Sequence, residues 1–228
     1  MSLFVAFLAF CVIVREVLCA IKIHQNQKTF CLNHQIDAFY LPSPLFFIIK
    51  RLCDICISLA VCLCILPILY IVLAPIIKLG SKGPVIYKQK RIGQFGKLFT
   101  CYKFRSMYLN DDETVAGPND SRVTKIGRLI RKTHIDEFPQ FFNVLISDMS
   151  LVGPRPYTPY AASLISSSRY SERLLVKPGI TGLAQINSNR TLEHSRSMFF
   201  DLTYLENMSF LKDILLVFET LKFKDVSY

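Results

Sequence analysis

Residues Ile55–Ile77 read ICISLAVCLCILPILYIVLAPII, a run without one charge. A helix of that length reaches across a bilayer core of about 30 Å. Two features argue against a plain crossing. Pro67 sits near the middle, where it removes a helix hydrogen bond and clashes with the carbonyl of Leu63. Both flanks are basic, Lys50 and Arg51 before and Lys78 and Lys82 after, which draws both ends to the cytoplasmic side. A helix broken at Pro67 that enters one leaflet and returns meets both constraints. A kinked helix crossing the whole bilayer is the alternative.

Before this run, Leu3–Val14 is apolar, is interrupted by Arg15-Glu16 and resumes over Val17–Ile21. No basic segment precedes it, which argues against a signal peptide. A spanning helix, an interfacial helix and an inert extension all fit. Residues 24–41 have no clear period and read as a linker ending at Pro42 and Pro44. The expected organisation is an extension and linker over 1–45, a re-entrant membrane helix over 46–80 and a cytosolic domain over 81–228.

After the run the period changes. Val85-Ile86-Tyr87 and Leu98–Tyr102 are β-prone around the turn sequence RIGQFGK, which predicts a short hairpin. Gly93-x-x-Gly96-Lys97 lacks the hydroxyl residue of a phosphate loop and reads as that turn. Lys103 and Arg105 bracket Phe104, expected to be buried. Thr124–Lys132 reads as a short basic helix, Tyr157–Arg173 as polar and helical, and Leu183–Ile186 as strand-like. Phe210, Leu211, Ile214, Leu215, Phe218 and Leu221 recur at helical spacing, as a core stripe by default or a membrane-surface stripe. The fold class is α/β in the α+β sense, mostly helical.

The chain carries 51% hydrophobic residues and a mean hydropathy of +0.34, high for a soluble domain. Its net charge of +10 calls for an anionic partner. No acidic residue occurs between Asp54 and Asp111, while Lys78, Lys82, Lys88, Lys90, Arg91, Lys97, Lys103 and Arg105 all do. Of the eight cysteines only Cys101 lies beyond the apolar front end, against a secreted disulfide framework. Cys53-x-x-Cys56 has no second pair, which argues against zinc.

Thr133–Pro156, THIDEFPQFFNVLISDMSLVGPRP, is the candidate site. A helix beginning near Asp136 puts Asp136 and Glu137 at its positive end and Pro139 in the first turn, with Phe138, Phe141, Phe142, Val144 and Leu145 facing inward. Two prolines hold Arg155 in extended backbone. A carboxylate among cations stays ionised and can serve as nucleophile, metal ligand or phosphate-site partner. An ordinary charged helix start fits the same residues.

Several motifs, in order, resemble one family. Lys50-Arg51-x-x-Asp54 precedes the apolar run, and Gly83-Pro84-Val85-Ile86-Tyr87-x-Gln89 follows it. Next come Arg91-x-Gly93, Gly96-Lys97 and Tyr102–Met107. The series ends with Asp136-Glu137-x-Pro139-Gln140, Asn143-Val144-Leu145, DMSLVGPRP, Lys177–Gly182 and Ala184–Asn187. Over about Phe46–Lys222 this set resembles the bacterial sugar transferases, small monotopic phosphoglycosyl transferases that start glycan assembly. The resemblance implies transfer of a sugar 1-phosphate from a UDP-sugar to polyprenyl (undecaprenyl) phosphate, with UMP released. It implies Asp136 as nucleophile in a covalent phosphosugar intermediate and Glu137 as the Mg²⁺ ligand. Lys103, Arg105, Arg155 and Arg190 are the expected phosphate-binding cations, and Pro67 the break in the membrane helix. The implied setting is the cytoplasmic face of a bacterial inner membrane, with lipids and downstream glycosyltransferases as partners and no nucleic acid. Two details depart from the family: Leu66 where a small polar residue often precedes the proline, and Ser188-Asn189-Arg190 where Gly-Arg-Asn is usual. A non-catalytic basic scaffold or an anionic-lipid-binding protein is the rival reading.

Overall fold

In a computed structural model the apolar run lies within one continuous helical rod, Pro44–Gly80. The structure describes residues 2–34, 42–109, 120–165, 167, 169–187 and 194–222. The rod comprises α2 (Pro44–Ala60), a wide π turn (Val61–Ile65) and α3 (Leu66–Gly80). Ser43 caps its start, accepting from the Phe46 N–H, and Pro44 sits where a missing N–H costs little. The π turn answers the proline: Leu66 N–H reaches back to the Val61 carbonyl just before Pro67, relieving the clash with the preceding turn. At 1.5 Å per residue the helical path measures about 55 Å along its axis, more than a bilayer core of about 30 Å. Its apolar side chains are largely exposed, among them Leu63, Ile68, Ile71 and Leu79. It is the one helix among the described residues long and apolar enough to cross a membrane.

Both ends of the rod are fastened to the same globular body. Arg51 donates to the Val144 and Leu145 carbonyls at 2.7 and 3.1 Å, and Asp54 Oδ1 accepts from Leu151 N–H at 3.1 Å. Lys50 pairs with Asp213 at 2.5 Å. At the far end Leu73 and Ile77 pack with Val85, Phe104 and Ile130 in a small core.

The body is built on two small sheets. The antiparallel hairpin pairs β1 (Ile86–Ile92) with β2 (Leu98–Phe104), opposing Tyr87 to Lys103, Gln89 to Cys101 and Arg91 to Phe99. The hairpin was expected, and β1 runs on through Ile92 into what had read as turn. Helix α4 (Lys125–Lys132), capped by Thr124, matches its expectation. A 3-10 turn (Ile135–Glu137) then leads into α5 (Gln140–Leu145), so the helix starts later than expected, with Pro139 as its N-cap. Gln140, Asn143 and Val144 are its buried face, and Phe142 is turned outward, 47% exposed.

Strand β3 (Ser150–Val152) lies parallel to β4 (Gly179–Thr181). Gly179 has no room for a side chain, since a Cβ would stand 2.1 Å from Gly153 N. Between them lie α6 (Pro159–Ser163) and a 3-10 turn (Tyr170–Leu175), two short pieces in place of the expected helix. Helices α7 (Leu183–Asn187), α8 (His194–Glu206) and α9 (Phe210–Leu221) follow. The strand expected over Leu183–Ile186 is therefore a helix: Gly182 ends β4, and its carbonyl accepts from Ile186 N–H to close the turn. The main core joins Phe99, Cys101, Val144, Met149, Leu151 and Leu205 with α8 and α9.

Two further expectations are corrected. Residues 24–33 are no linker but the end of α1 (Ser2–Asn33). Gln27 is wholly buried there and donates to the Leu175 carbonyl at 2.9 Å, while Phe30 packs on Phe95 at 5.6 Å. The α9 stripe is not core: Phe210, Leu211, Ile214, Leu215, Phe218 and Leu221 are all exposed, while Asp213 and Leu216 face inward.

Candidate active site

The acid pair owes its geometry to a reversal after α4. His134 takes left-handed backbone, φ 54°, at a cost of about 1 kcal/mol for a residue with a Cβ. The reversal starts the tight turn that sends Asp136 inward, 4% exposed, and leaves Glu137 half-buried at the edge. Two neighbouring carboxylates are thus given different surroundings. Lys103 on β2 meets Glu137 Oε1 at 2.6 Å, so the turn is tied to the hairpin.

Asn143 makes the second tie. Its side-chain amide accepts from Tyr102 N–H at 3.0 Å and donates to the Thr100 carbonyl at 2.7 Å, standing in for a third strand along β2. The helix just after the acid pair is thereby registered against the strand that carries Lys103. Along the hairpin face shared by Lys103, the alternation of side chains also presents Tyr87, Gln89, Arg91 and Cys101.

Arg91 links that face to the Gly153–Pro156 loop. It donates to the Pro156 carbonyl at 2.6 Å and is steadied by Gln89 Oε1 at 2.5 and 3.1 Å. Burial lowers this guanidinium below its ordinary range; Cys101 and Glu137 oppose the shift and Arg155 adds to it. Arg91 therefore sits within electrostatic reach of both Glu137 and Arg155. Burial likewise pushes up the Cys101 thiol, against Lys103 and Arg91.

Arg155 is held by its backbone. Its N–H donates to Asp201 Oδ1 at 3.1 Å, and its carbonyl accepts from Arg173. Arg173 in turn pairs with Asp201 Oδ2 at 2.7 Å and lies 3.8 Å over the Tyr157 ring. Burial raises the Asp201 carboxyl to about 6, although Arg173 and the Arg155 N–H oppose the shift.

The expected phosphate role of Arg105 gives way to a structural one. Its guanidinium is 2% exposed and donates to the carbonyls of Ile77, Ser81 and Lys82 at 3.3, 2.7 and 3.0 Å, closing the end of α3. Arg105 thus serves the long apolar helix. Gly83 makes room for it: φ is +124°, and a Cβ would stand 2.3 Å from the Arg105 Nη1. Arg190 lies outside the described residues.

Arg91, Asn143, Arg173 and Asp201 were not expected at the site. Arg91 and Asn143 carried a local signal, since both lie in motifs quoted for the resemblance. Arg173 and Asp201 are brought in by contacts across the chain.

A family model described as bacterial sugar transferase matches residues 45–224. Among curated proteins, the UDP-glucose:undecaprenyl-phosphate glucose-1-phosphate transferase of Klebsiella pneumoniae is 46% identical over 185 residues, 76% of this chain and 39% of that protein. The undecaprenyl-phosphate galactose phosphotransferase of Salmonella typhimurium is 33% identical over 89% of this chain and 46% of its own length. The exopolysaccharide production protein ExoY of Sinorhizobium fredii is 32% identical over 81% of this chain and 91% of its own. The chain spans less than half the length of the first two proteins.

Proposed function

Because the chain belongs to the bacterial sugar transferase family, we propose that it transfers a sugar 1-phosphate from a UDP-sugar to polyprenyl phosphate, the first membrane step of a bacterial polysaccharide or glycoconjugate. The observation that carries this reading is the acid pair itself: Asp136 buried, Glu137 at the rim, and Lys103 2.6 Å from Glu137. The names of the Klebsiella and Salmonella proteins supply the class of donor and acceptor.

In the first step a carboxylate oxygen of Asp136 attacks the β-phosphorus of the UDP-sugar. The bond from that phosphorus to the bridging oxygen breaks, and UMP leaves with the electron pair. In the second step an oxygen of polyprenyl phosphate attacks the same phosphorus, freeing Asp136 and giving polyprenyl diphosphosugar. Such transfers need placement and charge neutralisation more than a strong base. Lys103 steadies Glu137 through one of its three N–H donors and offers the others to phosphate oxygens. Arg155 presents a fork suited to two oxygens at once, with Arg190 the further candidate cation.

The donor set fits Mg²⁺, which is usually held through one or two carboxylates while phosphates and waters fill the remaining positions. Glu137, with Asp136 adjacent, would hold it, and the ion would neutralise charge on the diphosphate.

We further infer that the apolar helix is a re-entrant anchor on the cytoplasmic leaflet. Both its ends grip one body, Arg51 at the start and Arg105 at the finish, and the exposed α9 stripe adds an apolar strip beside it. In a cysteine-free background, single cysteines at Leu45 and Lys82 should react from the same face of sealed membranes. Labelling from opposite faces sinks the re-entrant placement.

For the chemistry, purified protein is incubated with polyprenyl phosphate and a panel of UDP-sugars while UMP is assayed. At least one sugar should support turnover, and Asp136→Asn should abolish it. Full turnover by that variant removes Asp136 as nucleophile.

A further inference from the structure

Arg155 stands between two prolines, and both polar groups of its backbone are taken by one buried ion pair. The N–H goes to Asp201 Oδ1 at 3.1 Å and the carbonyl to Arg173, while Arg173 and Asp201 bind each other at 2.7 Å. The pair is sealed in, with side-chain exposures of 3% for Arg173 and 2% for Asp201. Tyr157, just beyond the loop, covers the guanidinium at 3.8 Å, and Tyr170 flanks it at 5.6 Å. The neighbouring peptides are pinned as well: Pro154 O accepts from Gly179 N–H, Pro156 O from Arg91, and Tyr157 O from Ile92 N–H.

A buried ion pair is a poor device for stability alone, because desolvating two charges offsets most of their attraction. What it supplies here is geometry. Pro156 confines the ψ of the residue before it, and Pro154 has its own φ locked, so the soft angles left are the ψ of Pro154 and the φ of Arg155, set by whatever grips the Arg155 N–H and carbonyl. We propose that Arg173 and Asp201 form a positioning pair that fixes the backbone of Arg155, so that its guanidinium is pre-aimed at the diphosphate of the nucleotide sugar. The inference rests on the sugar-phosphate transfer proposed above and deepens it by adding two residues that touch no substrate. Ordering Arg155 in advance removes an entropic cost from the transferring complex, which belongs to kcat rather than to binding.

The test is a double-mutant cycle read by UMP release. Asp201→Asn keeps an acceptor for the Arg155 N–H and removes the charge that orders Arg173. It should lower kcat by about tenfold or more with KM for the UDP-sugar within about threefold. In an Arg155→Met background the same change should cost less than about threefold, because its effect runs through Arg155. Equal losses in both backgrounds, or an unchanged kcat in the single variant, overturn the pair. Arg173→Lys is the second variant: both bonds leave Nη2, so the shorter ammonium keeps the charge, falls short of that position, and should behave as Asp201→Asn does.

Amide hydrogen exchange separates this inference from the reaction it rests on. In either variant the Arg155 and Tyr157 amides should exchange about tenfold faster or more, with the Cys101 amide in β2 unchanged. Unchanged loop exchange overturns the positioning pair whether or not UMP is released. Absence of UMP from wild-type protein with every sugar overturns the proposed reaction, and the exchange result still decides the pair.

Discussion

Lys103 Nζ lies 2.6 Å from Glu137 Oε1, which joins the second strand of the hairpin to the turn carrying Asp136. The two side chains are 22% and 23% exposed, so the pair contributes roughly 1 kcal/mol or less to stability. Lys103→Met should therefore leave the thermal midpoint nearly unchanged and lower UMP release by about 100-fold or more. A variant that melts early and keeps its rate would make the contact structural.

Arg105 should behave in the opposite way. Arg105→Met strands the carbonyls of Ile77, Ser81 and Lys82 at a buried helix end, for a cost of about 3 kcal/mol. Detergent-solubilised protein should unfold at lower denaturant, while the rate per folded molecule stays within about threefold. A large loss of rate without loss of stability would return Arg105 to the phosphate site.

Asn143 tests the seam between α5 and β2. Asn143→Leu leaves Tyr102 N–H and the Thr100 carbonyl without their side-chain partner, which costs about 2 kcal/mol. The same change should quicken exchange of the Tyr102 amide. Protection equal to wild type would mean that the strand edge does not depend on this amide.

Asp201 gives a pH signature. Burial raises its folded pKa from 3.8 to about 6, with Arg173 and Arg155 opposing, and Tyr157 and Tyr170 also close by. Between those values the folded protein binds a proton that the unfolded chain does not, so this group's contribution falls as pH rises from about 4 to 6. Relative to Asp201→Asn, wild type should gain about 2 kcal/mol between pH 7 and pH 4.5. Parallel stability curves for the two proteins would refute the assignment.

Much of the fold was legible where local chemistry decides it. Alternating apolar residues around a glycine turn gave the hairpin, and Thr124 ahead of a basic run gave α4. The misreadings share a cause. Leu183–Ile186 is apolar enough for a strand, yet the Gly182 carbonyl closes it into a helical turn. Residues 24–33 show no clear amphipathic period, and what anchors them, Gln27 on the Leu175 carbonyl and Phe30 against Phe95, lies far off along the chain. The α9 stripe has the spacing of a core helix and faces outward, and spacing alone does not say what medium the apolar face meets.

At the site, the acid pair and Lys103 were visible as adjacent or motif-bound residues. The division of labour between Lys103 and Arg105 was not. They stand two residues apart, Lys103 within β2 and Arg105 just past its end, and only the path of α3 shows that Arg105 is spent on its carbonyls. Arg173 and Asp201 are 28 residues apart and meet only in the folded chain.

Arg51 from the entry of the rod completes the last turn of α5, and Arg105 from the hairpin completes the last turn of α3. Each half of the molecule therefore finishes a helix belonging to the other. Melting of the long apolar helix and of the acid-bearing turn should therefore coincide in one transition. A detergent that loosens the greasy segment should slacken the acid-bearing turn some distance away, without ever touching it.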